Sequence, residues 1–157
     1  MLSYLRFLFQ SSNQHGVHSP FVFNFLTKGL YSQKNKFKKN YSLSERIVLS
    51  TIAYFNCKNI YIVDKVLLQK MEQNFPEITL NNQVAPYDLI IINLPSDYTD
   101  LQHQLHSQSL IIFQKPSKAI RSELLQNKNF RLILDFYHTI IISNRVEQQP
   151  QIFKLRY

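Results

Sequence analysis

The sequence predicts an α/β fold: one mostly parallel sheet with an antiparallel carboxyl-terminal hairpin and a helical amino-terminal segment. Between Asn59 and Asn127, short apolar runs alternate with stretches of helical period, as strands covered on both faces do. From Phe130 onward three β-type runs follow with no helix between them. The 157 residues, 45% of them hydrophobic, suffice for one compact domain with a real core.

Leu2, Leu5, Leu8 and Phe9 recur at helical spacing and predict a short amphipathic helix docked on the body. Arg6 interrupts this apolar run, no small-residue cleavage site follows, and nothing downstream approaches the roughly 18 apolar residues of a membrane span. Ser19 and Pro20 open a second helix, FVFNFLTKGLY, with Phe21, Phe25 and Leu26 on one face and Gly29 expected to close it. SQKNKFKKN reads as an exposed loop. Ser42 or Ser44 should then cap a helix over SERIVLSTIAYF, with Ile47, Val48, Thr51, Ile52 and Phe55 as its buried stripe.

NIYIVD predicts a strand, VLLQKMEQNF a helix, YDLIIINL a second strand and DLQHQLHSQ another helix. SLIIFQK and SKAIRSELLQN continue the alternation. FRLILDF, HTIIIS and QIFKLRY should close the sheet as antiparallel neighbours, because strands without a crossover connection pair that way. No linker separates two domains. Residues 1–56 are expected as a helical segment packed on the sheet, and 57–157 as the α/β part of one structural unit.

Composition narrows the function. Only Gly16 and Gly29 are glycines, which excludes P-loops and dinucleotide fingerprints, since both need glycine where backbone N–H groups approach a phosphate. The lone Cys57 cannot form an internal disulfide, so a reducing cytoplasm is the expected compartment. The net charge of +8 is uneven. Six bases and no acid precede Glu45, seven acids face four bases from there to Gln114, and eight bases face three acids thereafter. Such a basic rim suits either solubility or attraction to a polyanion.

HGVHSPFVFNFLTKGLY, residues 15–31, resembles the amino-terminal segment of a family of small bacterial class I S-adenosylmethionine-dependent methyltransferase-like proteins, many of which begin with an HGxHSPFVF-type motif. The ending, residues 130–157, is similar to that family's carboxyl terminus, and YDLIIINL sits where the family has its fourth strand. The resemblance implies a Rossmann-like domain and, if the family activity is retained, S-adenosylmethionine as cofactor. This chain departs from the pattern where the chemistry lies. The glycine-containing loop that wraps the methionine part of the cofactor is absent, there being no glycine after Gly29. IYIVD therefore corresponds either to the family's second strand, with Asp64 as the vestigial residue gripping the ribose hydroxyls, or to its first strand, with Asp64 marking the degraded loop. Asn93 stands where the family has an Asp after the fourth strand, a vestigial cofactor contact, and Gln114, Lys115 and Pro116 replace an acidic pair. An amide keeps neither the charge nor most of the affinity of a carboxylate for a hard cation. These losses imply a degenerate, catalytically inactive protein that needs no cofactor and acts as a binding or assembly partner. The alternatives are a methyltransferase with weak or partner-assisted cofactor binding, and a basic nucleic-acid-binding module.

Other candidates stand beside these. His15, His18 and Ser19 form a compact polar group, either a binding surface or hydrogen bonds that tie the segment down. His103 and His106 repeat the three-residue spacing on an expected helix, but a metal site would need further ligands, and none is expected. Cys57 has no base nearby in sequence and reads as a buried bystander. Ser96, Asp97 and Asp100 follow a strand, where open sheets bind ligands, or else cap the next helix. Lys36, Lys38 and Lys39 interleave with Tyr31, Phe37 and Tyr41, as in single-strand nucleic-acid grips. A protein partner is expected, and a sheet shortened at one side exposes an edge through which a homodimer could pair.

Overall fold

The computed structural model describes residues 2–33, 36–37, 41–82, 84–93, 101–143, 145 and 150–157. The first helix, α1 (Leu2–Gln10), forms as its spacing predicts. Ser19 caps α2 (Pro20–Asn24), its hydroxyl accepting the Val22 N–H at 3.4 Å, and Pro20 occupies the first turn. Gly29 does not close this helix, which widens into a π-helix over Phe25–Tyr31. A Cβ on Gly29 would lie 2.9 Å from the Phe25 ring and 3.0 Å from that of Tyr54. Close packing, and not termination, is what requires a glycine there.

Ser42, and not Ser44, caps α3 (Leu43–Phe55). The Ser42 hydroxyl accepts the Glu45 N–H at 3.3 Å while Glu45 Oε2 accepts the Ser42 N–H at 2.7 Å, a reciprocal capping box. Ser44 turns inward and its hydroxyl pairs with that of Thr139 at 2.7 Å. Ile47, Val48, Thr51 and Ile52 are buried, and Phe55 is half-buried.

Seven strands form one sheet: β1 (Asn59–Ile62), β2 (Thr79–Leu80), β3 (Tyr87–Ile92), β4 (Leu105–Gln114), β5 (Leu132–Asp135), β6 (Thr139–Ser143) and β7 (Gln151–Lys154), in the spatial order β2-β1-β3-β4-β6-β5-β7. Helix α4 (Lys65–Asn74) links β1 to β2, and α5 (Lys118–Gln126) links β4 to β5. Six strands run one way and β6 alone is reversed, inserted between β4 and β5. The sheet is therefore mixed, mostly parallel, with the antiparallel hairpin that its sequence predicts.

Strand residues alternate between two cores. Ile60, Ile62, Leu89, Ile91, Leu110 and Ile112 face α2, α3 and α4, while Ile90, Ile92, Ile111 and Phe113 face α5. Burial on both faces explains why the central strands read as continuous apolar runs.

Three expectations need correction. The two-residue strand β2 had no sequence signal, being too short to show a period. Residues 105–108 belong to β4 and not to a helix, although Gln102–Gln104 makes one 3₁₀ turn. There the pairing with β3 shifts register, and Ser109 substitutes for the interrupted ladder by donating to Tyr87 O at 2.6 Å and accepting the His106 N–H at 2.9 Å. Finally, β7 pairs with β5 and not with β6, and so lies parallel to its neighbour. Among the described residues, no helix is long and apolar enough to cross a membrane.

Candidate functional site

From β1 the chain moves outward to β2, then returns to the other side of β1 to form β3. That reversal is a topological switch point, and the carboxyl ends of the strands flanking it are where open α/β sheets hold ligands. A crevice of about 500 Å3 lies there, lined by Asp64 after β1, Asn93 after β3, Gln114 at the end of β4 with Lys115 and Ser117 beyond it, and Glu45 from the first turn of α3. Apolar lining comes from Val66, Leu67 and Ile120, and among the described residues no aromatic ring lines it. The volume falls within the range usual for small-molecule sites.

Only Val63 and Asp64 separate β1 from α4. Asp64 is the N-cap of that helix: its Oδ1 accepts the N–H groups of Val66 at 2.9 Å and Leu67 at 3.0 Å. The helix amino terminus that could otherwise hold an anion is thus already filled by the chain's own carboxylate. Glu45 is engaged twice, in the capping box and in an ion pair with Lys70 at 2.5 Å. Burial works to raise its pKa, but the Lys70 ammonium and the Ser42 N–H and hydroxyl outweigh it and hold the carboxyl below its ordinary value.

Gln114 is buried and donates to the Ser44 hydroxyl at 3.3 Å, continuing a buried chain to Thr139. Ser117 caps α5 by accepting the Ile120 N–H at 3.2 Å. Lys115 adopts a left-handed backbone, φ 47°, with its N–H donated to His138 O at 2.7 Å. Asn93 and Lys115 are exposed, and neither side chain has a hydrogen bond or ion pair among the described residues. Among the described residues, those two side chains and the second oxygen of Asp64 are the polar groups the crevice offers most openly.

The structure therefore brings Asp64 and Asn93 together with Gln114 and Lys115. Sequence reasoning missed Glu45 and Ser117. Both carry helix-start signals, but nothing in the chain announces that these helix starts meet at one sheet end.

The remaining candidates lie elsewhere. Ser19 is engaged as a helix cap; His15 and His18 are exposed and are not among the crevice's lining residues, and the His15 ring lies 3.2 Å from the Gln14 amide. His106 is on a strand and pairs with Asp88 at 3.1 Å, at the amino-terminal end of β3 and so opposite the crevice. Asp88 also accepts the N–H groups of Lys58 at 2.7 Å and Asn59 at 2.9 Å. Burial raises its pKa, yet these three donors together bring it below its ordinary 3.8. Cys57 is buried, and desolvation first, then the Asp88 charge, push its thiol up to about 12, so it stays protonated and inert.

Lys36 lies 5.3 Å above the ring of Phe37, but Phe37 is only 2% exposed and packs on Tyr41 and Phe75. Phe37 is thus a core residue, and Tyr31 and Tyr41 are half-buried against the same core. Lys38, Lys39, Ser96, Asp97 and Asp100 fall outside the described residues.

No protein-family model matches this chain, and no curated protein matches it. Among solved structures, it is similar to a crystal structure from Staphylococcus aureus described as a "putative caffeoyl-CoA O-methyltransferase", at 15% identity over 89% of this chain and 96% of that one, with a TM-score of 0.43.

Proposed function

We propose that this chain is a methyltransferase-type α/β domain that binds a small ligand at its switch-point crevice without catalysing methyl transfer, and so acts as a ligand-responsive binding or assembly partner. One observation supports this above all: the crevice is open, yet its two carboxylates are engaged in folding. Asp64 and Glu45 hold the starts of α4 and α3, and Glu45 also holds Lys70. A general base must reach the proton it removes with a free lone pair and a suited pKa. A carboxyl held below its ordinary pKa by an ammonium and two cap donors is a poor one.

The available groups suit recognition better. The Asp64 carboxylate edge and the Asn93 amide can hydrogen-bond vicinal hydroxyls, and the Lys115 ammonium can pair with a carboxylate or phosphate. These features match the ends of a nucleoside-bearing amino acid, which is what the HGVHSPFVF resemblance implies. S-adenosylmethionine and S-adenosylhomocysteine are accordingly the ligands to test. The short β1–α4 turn lacks the glycine loop that would enclose the amino-acid part, so affinity should be low.

Calorimetric titration with both compounds, paired with a methyl-transfer assay over a panel of acceptors, tests this reading. Saturable binding in the high micromolar to millimolar range is expected, weakened tenfold or more by Asn93→Leu, with no methyl transfer. Turnover would overturn the non-catalytic reading. No binding at millimolar ligand would overturn the crevice as a site for this ligand class.

A further inference from the structure

On the other side of the turn from Lys115 to Lys118 lies a second, larger groove of about 740 Å3. Four segments distant in sequence form it: α1 through Arg6 and Phe7, α5 through Lys118 and Arg121, the β5–β6 turn through Tyr137 and His138, and β7 through Lys154. Among the described residues, no acidic side chain lines it. The carboxylate beneath it, Asp135, is fully buried and ion-paired with Arg121. Arg6, Lys118 and Lys154 have no ion-pair partner among the described residues; Lys154 donates to Gln10 Oε1 at 2.8 Å, and its charge also acts at longer range on Asp135. The groove therefore holds three positive charges in excess.

Its walls are aromatic as well as basic. The Arg121 guanidinium sits between the rings of Phe7 at 4.8 Å and Tyr137 at 4.6 Å, and the Tyr4 and His138 rings pack against Tyr137 at 5.0 and 4.8 Å. Tyr137 itself has φ 70°, a left-handed backbone that bulky residues rarely adopt. Asp135 Oδ1 fixes that conformation by accepting the Tyr137 N–H at 2.9 Å. A glycine or asparagine would suit the turn at lower cost, so the strained position has a large planar side chain where folding alone favours a small one.

Cations flanking a cluster of aromatic rings are suited to a ligand that is both anionic and planar. We propose that this groove binds a nucleotide phosphate together with its base, either as a free nucleotide or as a unit of single-stranded nucleic acid. Arg6, Lys118 and Lys154 take the phosphate, while the aromatic wall around Tyr137 takes the base face. The site is separate from the switch-point crevice and holds whether or not that crevice binds its own ligand.

The test is binding of three probes to the intact protein: inorganic phosphate, adenosine monophosphate, and a fluorescent ten-nucleotide single-stranded DNA. The expected results are salt-dependent binding of the nucleotide probes, with log K falling against log salt at a slope near −2 for the oligonucleotide if three phosphates are neutralised. The double variant Arg6→Glu, Lys118→Glu should weaken binding at least tenfold, while Lys28→Glu, Lys128→Glu, an equal charge change outside the groove, should leave it within twofold. Tyr137→Asn, which accepts the left-handed backbone, should weaken nucleotide binding several-fold without unfolding the protein. An oligonucleotide bound over tenfold tighter than the mononucleotide identifies nucleic acid as the source, and comparable affinities identify the free nucleotide. Phosphate bound as tightly as nucleotide, equal losses in both double variants, or no binding at millimolar nucleotide would each overturn the proposal.

Discussion

The two cavities share a wall, the turn from Lys115 to Lys118, yet they are built on opposite terms. In the switch-point crevice the charged groups serve the fold: Asp64 and Glu45 cap helices, Glu45 holds Lys70, and Gln114 ties the sheet to α3. Across the turn, one carboxylate is buried under the groove and one arginine is clamped to it, and three cations are left over. The first cavity has the position that the architecture reserves for ligands but few groups to spare. The second has an unremarkable position in the topology and a surplus of charge. Capacity to bind thus follows from what remains after caps, pairs and ladders are satisfied, and not from topology alone.

Breaking the buried pair should separate the two most sharply. Asp135→Ala leaves the Arg121 cation half-enclosed without its partner and frees the strained Tyr137 N–H, so about 3–5 kcal/mol should be lost in urea unfolding. A loss no larger than that from the crevice variants would erase the contrast. Next in size, Glu45→Gln removes the Lys70 pair and weakens the capping box, at about 1–2 kcal/mol. Because the Glu45 carboxyl is held below its ordinary 4.5, its contribution is complete above that pH and is lost as pH falls through the folded value. An acid titration of stability should therefore be flatter in Glu45→Gln than in the parent; identical acid limbs would refute the pair's role.

Asp64→Ala should cost about 1 kcal/mol, the size of a lost N-cap, and should not alter nucleotide binding across the turn. Smallest of all, Tyr137→Asn exchanges backbone strain for lost ring packing, and its unfolding free energy should stay within about 1 kcal/mol of the parent. A large drop would mean that the ring serves the core. The Cys57 thiol, remote from both cavities, should resist alkylation near pH 8 in every folded variant and react once urea unfolds the chain.

Much of the architecture was legible because it rests on periodicity. The stripe from Ile47 to Ile52, the helix starts at Ser19 and Ser42, and the apolar runs of β3 and β4 all declare themselves within a dozen residues. The misreadings arose where a partner decides. Leu101 and Leu105 share a helical spacing, yet β3 draws residues 105–108 into the sheet. The direction of β7 depends on which edge it reaches, and Gly29 answers to the ring of Tyr54, twenty-five positions away. Of the crevice, Asp64 and Asn93 could be named because strand ends are visible in a sequence. The basic groove could not, because Arg6, Lys118, Tyr137 and Lys154 share no local pattern and meet only in the folded chain.

The two ends of the polypeptide are also stitched to each other. Ser12 bridges alongside Leu155, taking hydrogen bonds with Lys154 at 2.8 Å and Arg156 at 3.0 Å, while Tyr31 OH donates to Arg156 O and Tyr157 OH donates to Leu30 O. This arrangement imposes a timetable. The helices that emerge first can pack on α3 early in synthesis, but the seam between Ser12 and residues 154–156 cannot close until β7 has been made. A chain stalled before Gln151 would lack this seam, and the edge of β5 would remain open to another strand until β7 pairs with it.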